Sequence, residues 1–201
     1  MYTRQAYKKE EVWLLDVLEE EGLDESAFRS REFTFVFDEE SSQRPIAFGR
    51  VRENTIEEKG LSKEPFEETE EDLEEDPDTW CEFSTIHLLP EGRKTNSLDT
   101  LLEAMVGHAQ DLRYSDSYLF TQSIEKYTDY GFETVNYESL PEYVEDRKEK
   151  HDMQIAQSSS VLKLHFSDFT VPDTEALSQE EIEKELEEQE MDEEHTYKYE
   201  T

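Results

Sequence analysis

The sequence predicts an α/β fold: a mixed central sheet flanked by helices. Three observations predict it. From Leu98 onward the apolar residues Leu98, Leu101, Leu102, Met105, Val106, Ala109 and Leu112 recur at the spacing of one helix face. Earlier, Phe33, Phe35 and Phe37 alternate along one strand face, and a second strand-like run, PIAFGRVR, follows across the SSQR turn. Around the middle of the chain, strand-like and helical runs then alternate. A hairpin supplies antiparallel pairs and a helical crossover a parallel one, so the sheet is of mixed direction.

In chain order, EEVWLLDVLEEEG places Trp13, Leu14, Val17 and Leu18 at helical spacing, with Gly22 as the C-terminal stop. The hairpin comes next. Trp80–Leu89 reads as a longer strand with Cys81, Phe83, Thr85 and His87 on one side and Glu82, Ser84, Ile86 and Leu88 on the other. It runs straight into Pro90, and the helix from Leu98 follows. DSYLFT is a short buried strand, SIEKYTDYG a short helix closed by Gly131, FETVNY another strand, and VLKLHF, Val161 to Phe166, the last.

With 201 residues the chain is long enough for one core plus tails. That core is expected over residues 1–169, interrupted by an acidic insertion at 53–79 and followed by an acidic tail at 170–201, helical or disordered. Fifty-four acidic residues against 20 basic ones give a formal charge of −34. A compact fold with that charge repels itself in dilute buffer. Three readings fit: a halophilic protein in a saline cytoplasm, where the Debye length falls to about 3 Å at 1 M salt; a partly disordered acidic interaction protein; or an acidic mimic of nucleic acid. Aromatic residues make up 11% of the chain, which argues against wholesale disorder. Direct binding to a nucleic-acid backbone is excluded, because it needs a basic face. The insertion and tail read either as hydrated surface or as docking sites for a basic partner.

Cys81 is the only cysteine, so neither an intrachain disulfide nor a thiolate metal cluster is expected. His87, His108, His151, His165 and His195 show no metal-ligand spacing, and no structural metal is expected. No run approaches the roughly 18 apolar residues of a membrane span. The expectation is a soluble, cytoplasmic protein with no membrane partner.

Chemistry concentrates between Trp80 and Val135. A strand that enters a tight loop and then a helix aims free backbone N–H groups, and the positive end of the helix dipole, at one point. In PEGRKTNSLDTLLEAM, Arg93 and Lys94 add cationic side chains at that junction. They suit a pyrophosphate, and they read equally simply as two surface cations.

The same stretch resembles the GNAT N-acetyltransferase superfamily, whose signature is a strand, a P-E-x-R-x-x-G-x-G/A loop, a helix of the LL-x-A-L type and a later Y-x-x-x-GF corner. Pro90, Glu91, Arg93, Leu101, Leu102, Ala104, Met105, Tyr127, Gly131 and Phe132 match it without a gap across the loop and helix. The resemblance extends over residues 1–169, outside the insertion. Two positions depart from it: Asn96 and Leu98 stand where the family has loop glycines, which allow close backbone approach to the pyrophosphate.

The resemblance implies acetyl-CoA as co-substrate and direct transfer to a small-molecule amine, with an amino-acid-like acceptor as the narrower guess and a homodimer as an admissible assembly. It places the pantetheine arm against the backbone of Ile86, His87 and Leu88, and the pyrophosphate on the amides of Arg93, Lys94, Thr95, Asn96, Ser97 and Leu98. Tyr127 becomes the proton donor to the leaving thiolate, or else a packing residue. Glu82 becomes the general base, with His87 as second candidate. Two alternatives stand beside this reading: a GNAT-fold protein without CoA turnover, motivated by Asn96 and Leu98, and an acidic interaction module.

Overall fold

Alternating phenylalanines form β2 (Phe33–Phe37), which pairs antiparallel with β3 (Ala47–Arg52). The computed structural model of the chain describes residues 1–23, 28–39, 44–53, 80–140, 142–155 and 158–172. The expected insertion beyond Glu53 and the tail beyond Pro172 fall outside these. Within them, residues Met1–Val171 form one compact unit.

Every residue of β2 and β3 is buried, on both faces, because helices cover both sides of the sheet. At the edge, β1 (Tyr2–Gln5) adds to β2 antiparallel. It is short and polar, as an edge strand that must not pair further tends to be. The remaining elements are α1 (Glu11–Glu20), β4 (Trp80–Leu88), α2 (Ser97–Asp111), β5 (Asp116–Thr121), α3 (Glu125–Thr128), β6 (Glu133–Thr134), α4 (Glu142–Ile155) and β7 (Ser160–His165). They complete a seven-stranded sheet in the order β1-β2-β3-β4-β5-β7-β6. Among the described strands only β4 and β5 run parallel, joined by the α2 crossover.

One face of this sheet is covered by α2, whose Leu101, Leu102, Met105, Val106 and Ala109 are buried against Val36, Val51, Cys81, Phe83, Leu119, Leu162 and Leu164. Each large apolar side chain there stabilises the fold by about 1.5–3 kcal/mol. The opposite face is divided. Leu14 and Leu18 of α1 cover Phe33, Phe35, Phe37 and Phe48 at one end, and Val144 of α4 covers Tyr118, Phe120 and Val161 at the other. The first helix ends as its sequence predicts: Gly22 adopts φ 63° and the Leu23 amide donates back to the Leu18 carbonyl at 2.8 Å.

Two expectations need correction, and two elements were not expected. The strand expected over FETVNY is only Glu133–Thr134, because the Asn136 side chain accepts from the Glu138 amide and turns the chain. Neither β1 nor α4 was legible as an element. Leu112 lies just past the end of α2 and is 37% exposed rather than in the core.

Candidate functional site

The site starts from an irregularity in β4. This strand pairs with β5 from Trp80/Asp116 to Phe83/Leu119 and no further among the described residues, whereas β5 stays paired with β7 as far as Thr121/Ser160. At that point Thr85 takes φ 54°, and the register against β3 shifts between Phe48 and Arg50. This is a bulge, which bends its strand and re-aims the residues after it. Residues 84–88 keep β3 on one side, and their other backbone edge makes no pairing with β5 among the described residues. Unpaired strand edges offer N–H and C=O groups to an added extended chain. The Ser84 and Thr85 hydroxyls are also buried there with no hydrogen-bond partner.

The bulge reverses side-chain parity. Cys81 and Phe83 face α2, as Ile86 and Leu88 also do beyond it. His87 therefore does not share a face with Cys81 and Phe83 as strict alternation predicts; its ring packs on Phe48 of the α1 face, 5.3 Å between centroids, with Nε2 3.9 Å from Glu21. Burial lowers the His87 pKa, and the charges of Arg93 and Lys126 push it the same way against Glu21. The imidazole is thus neutral at neutral pH and able to accept a proton.

Beyond β4 the chain makes a 3-10 turn, Gly92–Lys94, and enters α2. A Cβ at Gly92 would lie 2.2 Å from the Ile46 carbonyl oxygen, so only glycine passes here. The Gly92 carbonyl accepts the hydroxyls of Ser97 at 2.6 Å and Thr95 at 3.1 Å, which brace the turn. Asn96, the N-cap of α2, has φ −73° and makes no side-chain cap. The amides of Ser97, Leu98 and Asp99 in the first helical turn consequently have no intrahelical acceptor. Leu98 packs its side chain against the α2 core. Neither Asn96 nor Leu98 takes a positive φ, so the backbone conformation at those positions is open to residues other than glycine.

Cations gather at the same end. The Arg93 Nε donates to the Leu88 carbonyl at 3.2 Å, at the end of the free β4 edge. Lys94 is exposed beside it. Lys126, on α3, is the residue that sequence reasoning missed; surrounding protein lowers its pKa and the Arg93 charge lowers it further, which places the two cations within electrostatic reach. Among the described residues neither Arg93 nor Lys126 is ion-paired with a carboxylate. The signal available in the sequence was a lysine directly before Tyr127 in a chain poor in cations.

Tyr127 is 5% exposed, with its ring edge-on to Phe132 at 5.8 Å. Burial raises its pKa to about 12. Across neutral pH the phenol stays protonated and cannot act as a base, and it is a weaker acid than a free phenol. Glu82 belongs to another environment: it is 3% exposed, and Arg147 of α4 donates from Nε to Oε2 at 2.8 Å and from the other guanidinium arm to Oε1 at 3.0 Å. To take a proton it would first have to break that pair. Cys81 is fully buried, and burial holds its thiol well above the usual range, so it offers no thiolate to carry an acyl group.

No protein-family model matches the chain, and no curated relative does either. Solved structures do. An N-acetylglutamate synthase from Neisseria gonorrhoeae, complexed with coenzyme A and N-acetyl-glutamate, superposes at a TM-score of 0.55 over 82% of this chain with 16% identity. The chain spans only 35% of that synthase. Rv2747 from Mycobacterium tuberculosis, in complex with CoA, gives a TM-score of 0.56 over 82% of this chain and 99% of its own length at 11% identity. An acetyltransferase of the GNAT family from Staphylococcus aureus gives 0.51 over 82% and 98% at 9% identity. The fold is GNAT-like. Among the described residues of this GNAT-like chain, no group of three or more His, Cys, Asp or Glu side chains could hold a metal ion, and no helix is long and apolar enough to cross a membrane.

Proposed function

We propose that the chain is an acetyl-CoA-dependent N-acetyltransferase that passes the acetyl group directly to a small, amino-acid-like amine. The observation that carries this reading is the coincidence, at one end of the sheet and among the described residues, of a β4 edge without a strand partner, an α2 terminus without a side-chain cap and two cations without carboxylate partners. A nucleotide-bearing thioester has the complementary parts. Its amide-rich arm would pair with the backbone of Ile86, His87 and Leu88, and its pyrophosphate would meet the amides at the start of α2, between Arg93 and Lys126. Lys94 adds charge at the rim, and Thr95, Asn96 and Ser97 hold the turn that presents those amides.

In this reading the amine approaches from the α1 face, where neutral His87 takes its proton, and nitrogen attacks the thioester carbon. The new N–C bond forms as the C–S bond breaks, and Tyr127 protonates the departing thiolate. The base role thus passes from Glu82 to His87, because Arg147 holds both Glu82 oxygens. The high negative charge fits a salt-rich cytoplasm, where screening acts over a few ångströms.

Calorimetric titration with acetyl-CoA in about 2 M KCl, chosen for short-range screening, tests the reading. Micromolar binding is expected, followed by release of free CoA thiol with an amine acceptor. Tyr127→Phe should then slow release about a hundredfold. Failure of the folded protein to bind would leave a GNAT-like fold without CoA chemistry.

A further inference from the structure

Asp99 is an unexpected residue at the α2 terminus. It stands in the first turn of the helix whose free amides form the anion cradle, and a carboxylate in that turn is attracted to the same N–H groups that a phosphate would use. In this chain it is engaged elsewhere. The Tyr130 hydroxyl donates to Asp99 Oδ1 in a short hydrogen bond.

Tyr130 is well placed to hold it. It is 6% exposed and its ring lies nearly parallel to that of Phe169, 6.4 Å away. Its amide donates to the Tyr127 carbonyl at 3.1 Å, and its carbonyl accepts from the Thr170 amide at 3.3 Å. Next to it Gly131, at φ 92°, passes so close to the Asp168 carbonyl that a Cβ would lie 2.3 Å from the oxygen. The corner is therefore fixed on every side, and the phenol with it. Desolvation and the Asp99 carboxylate both raise the Tyr130 pKa, so the donor proton is retained throughout the working pH range.

We propose that Tyr130 is a positioning residue for the cofactor cradle, holding the Asp99 carboxylate aside from the α2 amides so that the pyrophosphate of CoA can reach them. This rests on the CoA reading above. Without the tether, the carboxylate is an internal anion that competes for the cradle and repels the incoming phosphates.

The test is a two-by-two set titrated with CoA and with inorganic pyrophosphate at a salt concentration where each variant is folded by circular dichroism. Tyr130→Phe, which keeps the ring and loses the donor, should weaken both ligands by roughly fivefold to tenfold. Asp99→Asn in the same background should restore binding, because a neutral amide does not compete as an anion. Asp99→Asn alone should bind as tightly as the unaltered chain or more tightly, which keeps the test decisive if Tyr130→Phe folds poorly. Unchanged affinity in Tyr130→Phe, no recovery in the double variant, or weaker binding by Asp99→Asn alone overturns the tether while leaving the CoA reading intact. If the unaltered, folded chain binds neither ligand, both fall.

Discussion

Two sets of cations in this molecule differ in their partners. Arg50 and Arg147 lie inside the sheet face between α1 and α4, at 0% and 5% exposure, each bonded to a buried carboxylate: Arg50 to Glu32 at 2.6 Å and Arg147 to Glu82 at 2.8 Å. Arg93 and Lys126 stand at the end of β4 with no carboxylate partner among the described residues. In a chain of charge −34, a cation finds an acid almost anywhere. A guanidinium closed by a buried carboxylate is a structural part, whereas one kept from acids is available to an anionic ligand. The contrast also bears on Glu82: nothing in the string of letters shows that α4 brings Arg147 to its carboxylate.

Breaking a buried pair should have the largest effect. Arg147→Ala strands the Glu82 carboxylate in the interior and should cost about 3–5 kcal/mol of stability, read as a lower denaturation midpoint. A loss below about 1 kcal/mol, the range of exposed pairs, would mean that the pair is solvated and the distinction drawn here is wrong. Lys126→Ala should do the reverse. Stability should stay within about 0.5 kcal/mol, as for surface changes away from such features, while the Kd for acetyl-CoA rises roughly tenfold, the equivalent of one charge-assisted contact. If instead stability drops and affinity holds, Lys126 belongs with the structural set.

Legibility followed the same division. The α2 stripe could be read because it is apolar throughout, and the hairpin because Phe33, Phe35 and Phe37 alternate. The α4 stripe could not: it runs Val144, Arg147, His151, and an arginine facing inward looks like surface until its carboxylate is known. Local rules also miss the bulge at Thr85, since a β-branched residue at φ 54° contradicts its own preference. Yet that bulge frees the β4 edge and moves His87 to the opposite face. Backbone conformation does not demand glycine at Asn96 and Leu98, which keep ordinary dihedrals, whereas Gly92 is demanded by the Ile46 carbonyl beside it, a contact that local sequence does not show. Lys126 on α3 comes near Arg93 in the turn before α2, and Tyr130 in the corner after α3 reaches Asp99 in α2, so only the folded chain brings these residues together.

The smallest expected effect links the two regions through His87. Its folded pKa is lowered, so the unfolded chain binds its proton more readily than the native one. The contribution to stability is full above the unfolded value of about 6.5 and is lost as pH falls through the lower native value. His108, also lowered by burial, adds in the same direction. Protonation of the many surface carboxylates works the opposite way at low salt by relieving repulsion, so the measurement belongs near 1 M KCl, where the Debye length is about 3 Å. There the acid limb of kcat/KM, if His87 is the base, should lie below pH 6.5. Because the Lys126 charge is one of the causes that depress His87, Lys126→Ala should move that limb upward, toward 6.5 and not beyond it. A limb that stays fixed even at lower salt would mean that burial, the largest cause, sets the His87 value without Lys126, whereas a limb above 6.5 would assign proton removal to a group other than His87.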